Sequence, residues 1–578
     1  MQRVLRWARA YRLIRHRLFS LFVMLSVVPL SVWQAAAQTE ALDNQHQIVH
    51  GTVTNAITHN PIGRALVFST DNRYATLTDS EGHFEFALPG GLSAAGSFAW
   101  LTARKPGFLD DPGARAQVEV SPGTEVAISL LPEGVIQGRI TFSATEPATG
   151  VTVQIFSRQV TEGMPRWVPR NVERTNSNGE FRFAELLPGA YKLVTHEWMD
   201  AETMVPGGQP YGFPPVYYPG AGDFVSASAI QLTAGQTFHA NISLVGQPYY
   251  SVKIPVVIPE PNFGPNISVS PQGQRSPGYS LGYNREKQTI EGQLPNGKYL
   301  VEAEIFGQNS SATGAVNLAV AGGPAEGAGM VFAPNISIPV NVKEEFTAAE
   351  WNATGTWNSR GKTFSTPKLR LDLDLRAENA DDFAQRRDGS LREPTGPNDN
   401  SMVLENLAPG RYWLRIHAQR GYVASATMGG VDLLREPLVV VPGASTEIDI
   451  TLRDDSAEIE GTLLGISSGT SSGAPFGSAA PNSPVDSGRR SPSGYVYCVP
   501  SPESSGQFLE ISASREGAFA YRMVTPGNYR VLAFKNPQRD LPYRDADAMK
   551  VYETKGRVVH FSRGQKVSLQ LEVISRAE

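Results

Sequence analysis

The sequence predicts an all-β chain: a linear array of about five β-sandwich modules behind an N-terminal export segment. Three observations lead there. Gly 55 and Pro 42 of 578 residues, with only 19% charged, exceed the ~12% that glycine and proline normally make up and disfavour long surface helices. One turn-and-strand element recurs along the chain. Short alternating apolar stretches separated by Gly-containing turns fill the rest, without a sustained 3.6-residue period outside the export segment. At 41% apolar residues the chain is also not a disordered one.

The recurring element is a Pro-Gly turn before a tyrosine-led strand. Pro188-Gly189-Ala190-Tyr191, Pro409-Gly410-Arg411-Tyr412 and Pro526-Gly527-Asn528-Tyr529 carry it in full. Asn296-Gly297-Lys298-Tyr299 lacks a Pro directly before Gly, and Leu88-Pro89-Gly90 has lost its tyrosine. The five glycines are 99, 108, 113 and 117 residues apart. Pro and Gly at the centre predict a type II turn with positive φ at Gly, and the tyrosine hydroxyl is expected to tie back to the preceding loop as in a tyrosine corner.

Upstream of three copies, a polar turn ending in Gly feeds a strand with alternating aromatics: Asp79 to Gly82, Asn176 to Gly179 and Ser514 to Gly517. Each unit closes on a strand, a Gly turn and a second alternating strand, at 118–130, 230–244, 438–452 and 558–573. In the second of these, Phe238, Ala240, Ile242 and Leu244 share one face and His239, Asn241 and Ser243 the other. First strands follow at 135–141 and 457–464. These signals divide the chain into a signal peptide (1–37) and sandwich modules at 38–132, 133–246, 247–334, 335–455 and 456–578, the third and fourth degenerate. Linkers of a few residues predict a semi-rigid rod.

Residues 1–17 are basic, Leu18 to Trp33 is an apolar run, and Ala35-Ala36-Ala37 supplies a cleavage site. This is expected to be a signal peptide, an uncleaved signal anchor being the other reading, and the mature chain is expected to have no membrane span. Six arginines and no acids lie in that segment, so the net charge of −5 becomes −11 without it, which argues against a nucleic-acid partner. One cysteine, Cys498, excludes intrachain disulfides; an exported chain without them points to a bacterial product, periplasmic, cell-surface or extracellular.

Three insertions interrupt the pattern. The Ser/Gly/Pro tract 466–494 is expected to be a flexible loop in the fifth module, and 376–400 a charged loop in the fourth. Residues 199–222 hold Tyr211, Phe213, Tyr217 and Tyr218 among prolines, which places these aromatics on a loop rather than in a sheet. Two readings stand for them: a satellite cluster packed over the sandwich edge, or a stacking platform for sugar rings in loop 206–220. Trp167, Trp198, Trp351 and Trp357 are open to the same two readings.

Catalytic patterns are sparse. His46, His50, His59 and His83 lack metal-ligand spacing. Gly465-Ile-Ser467-Ser-Gly469 and the string around Ser471 lie at or in the Ser/Gly/Pro tract with no helix after them. Gly292 to Lys298 resembles a P-loop only until Tyr299 replaces the magnesium-binding hydroxyl. Asp71, Asp79 and Glu81 offer at most a weak calcium site that a hairpin turn also explains. No catalytic, cofactor or metal residue is assigned.

The string Ile48-Val-His-Gly51-Thr-Val, Thr78-Asp79-Ser-Glu-Gly82 and Leu88-Pro-Gly90, with its counterparts at Gly138, Gly179 and Gly189, resembles the carboxypeptidase regulatory-like module, also called Cna-B-like or prealbumin-like. That resemblance implies transthyretin-like (Ig-like) sandwiches related to carbohydrate-binding-like folds, and modules that are not themselves catalytic. In adhesin relatives a first-strand Lys crosslinks to a last-strand Asn or Asp; only Lys253 and Lys343 qualify here. The expected role is a non-enzymatic spacer or interaction and adhesion protein at the cell envelope, its partner an envelope protein or polysaccharide. The alternatives are carbohydrate binding through loop 206–220 and an accessory role in a peptidase or envelope complex.

Overall fold

The computed structural model describes residues 47–574 except 89–99, 111–117, 120–124, 143–145, 206–207, 259–263, 274–275, 307–310, 348–372, 380–388, 393–401, 419–420, 444–445, 466–493, 515 and 539. The signal peptide, Pro89-Gly90, Trp351, Trp357, Ser467 and Ser471 lie outside the described residues. The described chain is nearly all β, with one α-helical turn at Ala546–Met549.

One pairing scheme occurs five times. A first strand pairs antiparallel with the strand that leads into the tyrosine turn, and parallel with the closing strand. The first strands are Gln47–Asn55, Gly134–Phe142, Gln247–Val257, Ile336–Glu345 and Ala457–Leu464. Their antiparallel partners are His83–Leu88, Glu180–Leu186, Thr289–Pro295, Met402–Leu407 and Ala518–Val524. Their parallel partners are Val126–Pro132, Ile242–Leu244, Met330–Val331, Ile448–Arg453 and Lys566–Glu572. Parallel neighbours need a crossover, and here the crossover runs through a second sheet. That sheet is built on the strand after the turn: Trp100–Arg104, Gly189–Thr195, Gly297–Phe306, Gly410–Ala418 and Gly527–Phe534. Apolar faces meet between the two sheets, giving a buried cluster for each repetition, around Val53, Ile136, Ile254, Leu404 and Val531 respectively. Ala240, Ile242 and Leu244 are buried and His239, Asn241 and Ser243 exposed, as their alternation predicts.

The tyrosine corner is present wherever its tyrosine is. Tyr191, Tyr299, Tyr412 and Tyr529 each donate a hydroxyl hydrogen bond to the carbonyl four residues back: Leu187 (2.6 Å), Pro295 (2.9 Å), Ala408 (2.9 Å) and Thr525 (2.7 Å). The turn is not type II, however. Gly189 and Gly527 take φ of 156° and 154°, far from the ~80° of that turn, because each glycine already begins its strand. The bend comes earlier, at bulges where Glu185 and Asn406 adopt φ of 55° and 64°. Tyr529 also accepts the Gln507 amide at 3.0 Å. Tyr529→Phe is therefore expected to leave a donor and an acceptor unpaired and cost about 1–3 kcal/mol. Chemical denaturation checks it; a loss within error would remove the corner as a stabilising device.

The polar turns repeat atom for atom in the first two copies. Thr78 donates to the Ile62 carbonyl and accepts from Ala65 N, while Thr175 does the same with Ala148 and Val151. Asp79 Oδ1 accepts the amides of Glu81 and His83, and Asn176 Oδ1 those of Asn178 and Glu180. Asp79 is thus engaged as a turn cap. Asp71 is engaged separately, by Ser69 and Arg73.

Two expectations are corrected. The stretch read as a charged loop contributes strands Leu373–Asn379 and Gly389–Arg392. The first pairs antiparallel with Gly410–Ala418, and the second joins the two sheets into one of nine strands. Nor is the array an open rod. The hairpin of Thr152–Thr161 and Met164–Arg174 reaches the fourth and fifth repetitions with its tip: Glu162 pairs with Arg415 at 2.9 Å, and the Gly163 carbonyl accepts Arg544 N at 3.0 Å. Gly163 has φ 76°, and a Cβ there would meet the Tyr543 ring at 2.8 Å. Short linkers thus coexist with a chain that doubles back.

Candidate functional site

The long excursion after strand Gly189–Thr195 carries the four aromatics and joins the second repetition to the third. Pro210 and Pro214 bracket a short strand, Tyr211–Phe213, which pairs with Trp198–Met199 and with the start of Gln247–Val257. Tyr211 and Phe213 are thus in a sheet after all: the prolines flank the three residues instead of interrupting them. Phe213 packs on Phe142 at 4.3 Å, and Trp198 on the same ring at 4.6 Å.

Tyr217 is only 2% exposed, in a cluster with Phe156, Val194, Phe224 and Ala227, and its hydroxyl donates to the Pro277 carbonyl of the next repetition. Burial drives that hydroxyl's pKa up. Tyr218 sits edge-on to Phe238 at 6.0 Å, partly buried against the second core. Stacking requires a free ring face, so Tyr217 offers no sugar platform, and Phe213 and Tyr218 are committed to packing. Tyr211, 39% exposed with its hydroxyl on the Gly246 carbonyl at 2.9 Å, is the one of the four that keeps an open face. Trp167 is held between Arg158 and Lys192, 5.7 and 5.1 Å from its ring centre.

The same seam encloses a polar group that isolated residues in the sequence do not betray. Glu197 Oε1 accepts both the amide and the hydroxyl of Ser280 at 2.7 Å, and Glu197 N donates to the Gly278 carbonyl. Glu197 Oε2 and the Tyr249 hydroxyl are enclosed without a hydrogen-bond partner. Desolvation pushes the Glu197 carboxyl up to about 7, against the pull of the Ser280 bonds. Burial raises the hydroxyls of Tyr249, Tyr279 and Tyr299, and the Glu197 charge adds to the rise. Adjacent His196 is lowered by burial and faces Gln154 at 2.9 Å. A carboxylic acid titrating near neutrality marks a functional-site candidate in general. Here Oε2 is enclosed between the two repetitions and Oε1 is held by Ser280, which suits a structural latch more than an acid that meets a substrate.

Other candidates disperse. His50 faces Glu85 at 3.4 Å on the surface, and His59 lies in a turn with φ 58°. Among the described residues no three His, Cys, Asp or Glu side chains gather to hold a metal ion. Cys498 is fully buried, its thiol pushed up to about 12 by desolvation. Gly292 to Lys298 is strand and tyrosine turn. Lys253 lies opposite Glu326 on its parallel neighbour, while Lys343 lies opposite Thr451 and pairs with Glu345 at 2.6 Å. Neither register supplies the Asn or Asp that a crosslink requires. No helix among the described residues is long and apolar enough to cross a membrane.

No family model matches the sequence, and no curated protein does. Solved structures to which the chain is similar include the Bacillus anthracis TIE protein, at 12% identity and TM-score 0.16, over 49% of this chain and 50% of that one. The minor pilin GBS52 of Streptococcus agalactiae is similar at 12% identity and TM-score 0.18, over 35% of this chain and 97% of its own. The pilus adhesin SpaC of Lactobacillus rhamnosus GG is similar at 11% identity and TM-score 0.15, over 50% and 43%. The chain spans about half the length of the first of these. Likenesses this distant carry no argument about function.

Proposed function

We propose that this is an exported, non-enzymatic protein of the cell envelope, in which tandem sandwich modules with the boundaries given above serve as a structural or adhesive element. One observation carries the reading: what recurs along the chain is scaffold. The tyrosine corners, the parallel first-to-last pairing and the capped turns all recur, and the side chains that recur are spent on hydrogen bonds to their own module's backbone. Function in such arrays lies in surfaces and in spacing rather than in a conserved reacting centre.

Fractionation of cells expressing the full chain, with a turnover screen of the purified protein on peptides, esters and glycosides, tests this. Recovery from envelope or medium with no turnover is expected. Retention in the cytoplasm, or saturable turnover abolished by one substitution, would overturn it.

A further inference from the structure

The second repetition carries an arm longer than the equivalent hairpins of the first and fifth. Those have strands of four and three residues, Leu66–Ser69 and Ala75–Leu77, and of seven and five, Gly494–Pro500 and Leu509–Ala513. In the second, Thr152–Thr161 and Met164–Arg174 run to ten and eleven. The neighbouring strand Gly189–Thr195 accompanies Val153 to Ser157, and past it Arg158 to Thr161 continue with Met164 to Trp167 as a two-stranded ribbon. Such a ribbon is marginal in water by itself, and its tip is seated on other repetitions.

The tip is a two-residue loop, Glu162-Gly163, with φ of 49° and 76°, the left-handed pair of a type I′ turn that asparagine and glycine usually fill. A glutamate held in that conformation is strained backbone of the kind found at functional contacts. Glu162 makes one, 2.9 Å from Arg415 of the fourth repetition. The Gly163 carbonyl accepts Arg544 N of the fifth at 3.0 Å, and a Cβ on Gly163 would meet the Tyr543 ring.

What the tip joins is two bodies. The second and third repetitions share a sheet, since Tyr211–Phe213 pairs with Gln247–Val257, and Tyr217 and Glu197 bond across the seam to Pro277 and Ser280. The fourth and fifth are tied by Arg435 to the Glu503 carbonyl at 2.8 Å, by Gln507 to the Val423 carbonyl at 3.1 Å and by Gly564 N to the Asp455 carbonyl at 3.1 Å. Between the third and fourth, Asn335 alone separates Ala333–Pro334 from Ile336–Glu345. Its amide donates to the Ser311 carbonyl at 2.7 Å, and beside it a cavity of about 550 Å³ parts the Ser268 and Thr313 face from Pro409 and Pro442.

We infer that the Glu162-Gly163 tip is a clasp: it holds the second and third repetitions, as one body, against the fourth and fifth, as another, and its release lets the two swing apart about Asn335. The Arg415 side chain is 58% exposed, and an ion pair so open to water is weak and screened by salt, which makes closure reversible. In an array that works through spacing, opening lengthens the reach without unfolding a module. Only that purpose rests on the role proposed above; the clasp is a matter of geometry, and its test reads shape, not location or turnover.

Small-angle scattering of the full chain tests it. Glu162→Arg and Arg415→Glu should each raise the radius of gyration by about 5 Å, the change expected when two bodies of roughly 200 residues part about a hinge. The double variant, which exchanges the two charges, should return to the wild-type value. Hydrogen exchange at the Arg544 amide is the local readout, expected to quicken at least about tenfold in each single variant and to recover in the exchange. Thermal unfolding of every variant separates opening from loss of fold. If a single variant unfolds, the wild type carries the test: its Arg544 exchange should quicken and its radius should grow between about 50 mM and about 1 M salt. A wild-type chain already expanded at low salt, no expansion in either folded single variant, or expansion that the charge exchange leaves in place would overturn the inference.

Discussion

Gly138→Ala is expected to unfold the second sandwich, at a cost of about 3 kcal/mol or more. Gly138 lies directly opposite Phe181 in the antiparallel pair and next to the closing segment in the parallel one. A Cβ built on it would fall well under 3.0 Å from the Ala240 carbonyl oxygen and 3.0 Å from Phe181 Cζ. The nearest obstacle is backbone between two sheet strands, so no side-chain rotation relieves it, which puts the change at the upper end of overpacking penalties. Gly51 and Gly461 share the arrangement: each faces a phenylalanine, Phe84 or Phe519, and a carbonyl of the closing strand, Val126 or Leu569. The aromatic ring covers a position where only hydrogen fits. Calorimetry of Gly138→Ala beside Gly220→Ala, whose Cβ meets nothing within 4 Å, checks it. A loss below about 1 kcal/mol in the first would mean that the strands move apart freely.

That pair also shows which parts of the fold are legible in the sequence. The first-strand glycine and the alternating aromatics are each visible as strings, but their partnership exists only in the register, which is set by strands some 33–58 residues apart. In the fourth copy the position eight residues before the turn glycine is Met402 opposite Val340, and in the third Thr289 opposite Pro255. An apolar or mixed pair replaces the Gly–Phe pair while the parallel first-to-last pairing persists. Those two copies read as degenerate because the residues that advertise the module changed, not because its topology did.

Turn chemistry is local, so the tyrosine corner could be anticipated. The bulges that do the bending could not, since Glu185 is an ordinary residue in an unusual conformation and Asn406, though asparagine favours positive φ, is one of many asparagines in the chain. The aromatic loop shows the same limit. Its composition is compatible with packing or with display, and burial of Tyr217 depends on Phe156, Val194 and Phe224 arriving from elsewhere. The contact of the hairpin tip lies furthest from reach, for Glu162 and Gly163 of the second repetition meet Arg415 of the fourth and Arg544 of the fifth only in the fold.

Glu197→Gln is expected to stabilise the seam between the second and third repetitions at pH 8.5 and to change it little at pH 5. The Glu197 carboxyl is raised from 4.5 to about 7 in the folded chain. Between those values the folded chain keeps a proton that the unfolded chain releases. Its stabilising contribution is therefore full below about pH 4.5 and is lost as pH rises through 7. The shift corresponds to roughly 2–3 kcal/mol, allowing for the partial access of Oε1. His196, lowered by burial, works in the opposite sense, favouring the fold above its ordinary pKa and opposing it as acid charges the ring. Comparing wild type with the variant at each pH cancels that contribution. Glutamine keeps an acceptor for Ser280 and brings an amide donor where Oε2 and the Tyr249 hydroxyl now lack partners. A chain of several sandwiches need not unfold in one step, so hydrogen exchange at the Glu197 and Ser280 amides, which donate to the Gly278 carbonyl and to Glu197 Oε1, is the local readout. Slower exchange in the variant at pH 8.5, with parity at pH 5, is the expected pattern. An equal effect at both pH values would mean that the carboxylate stays charged in the seam, and the latch would then not respond to pH.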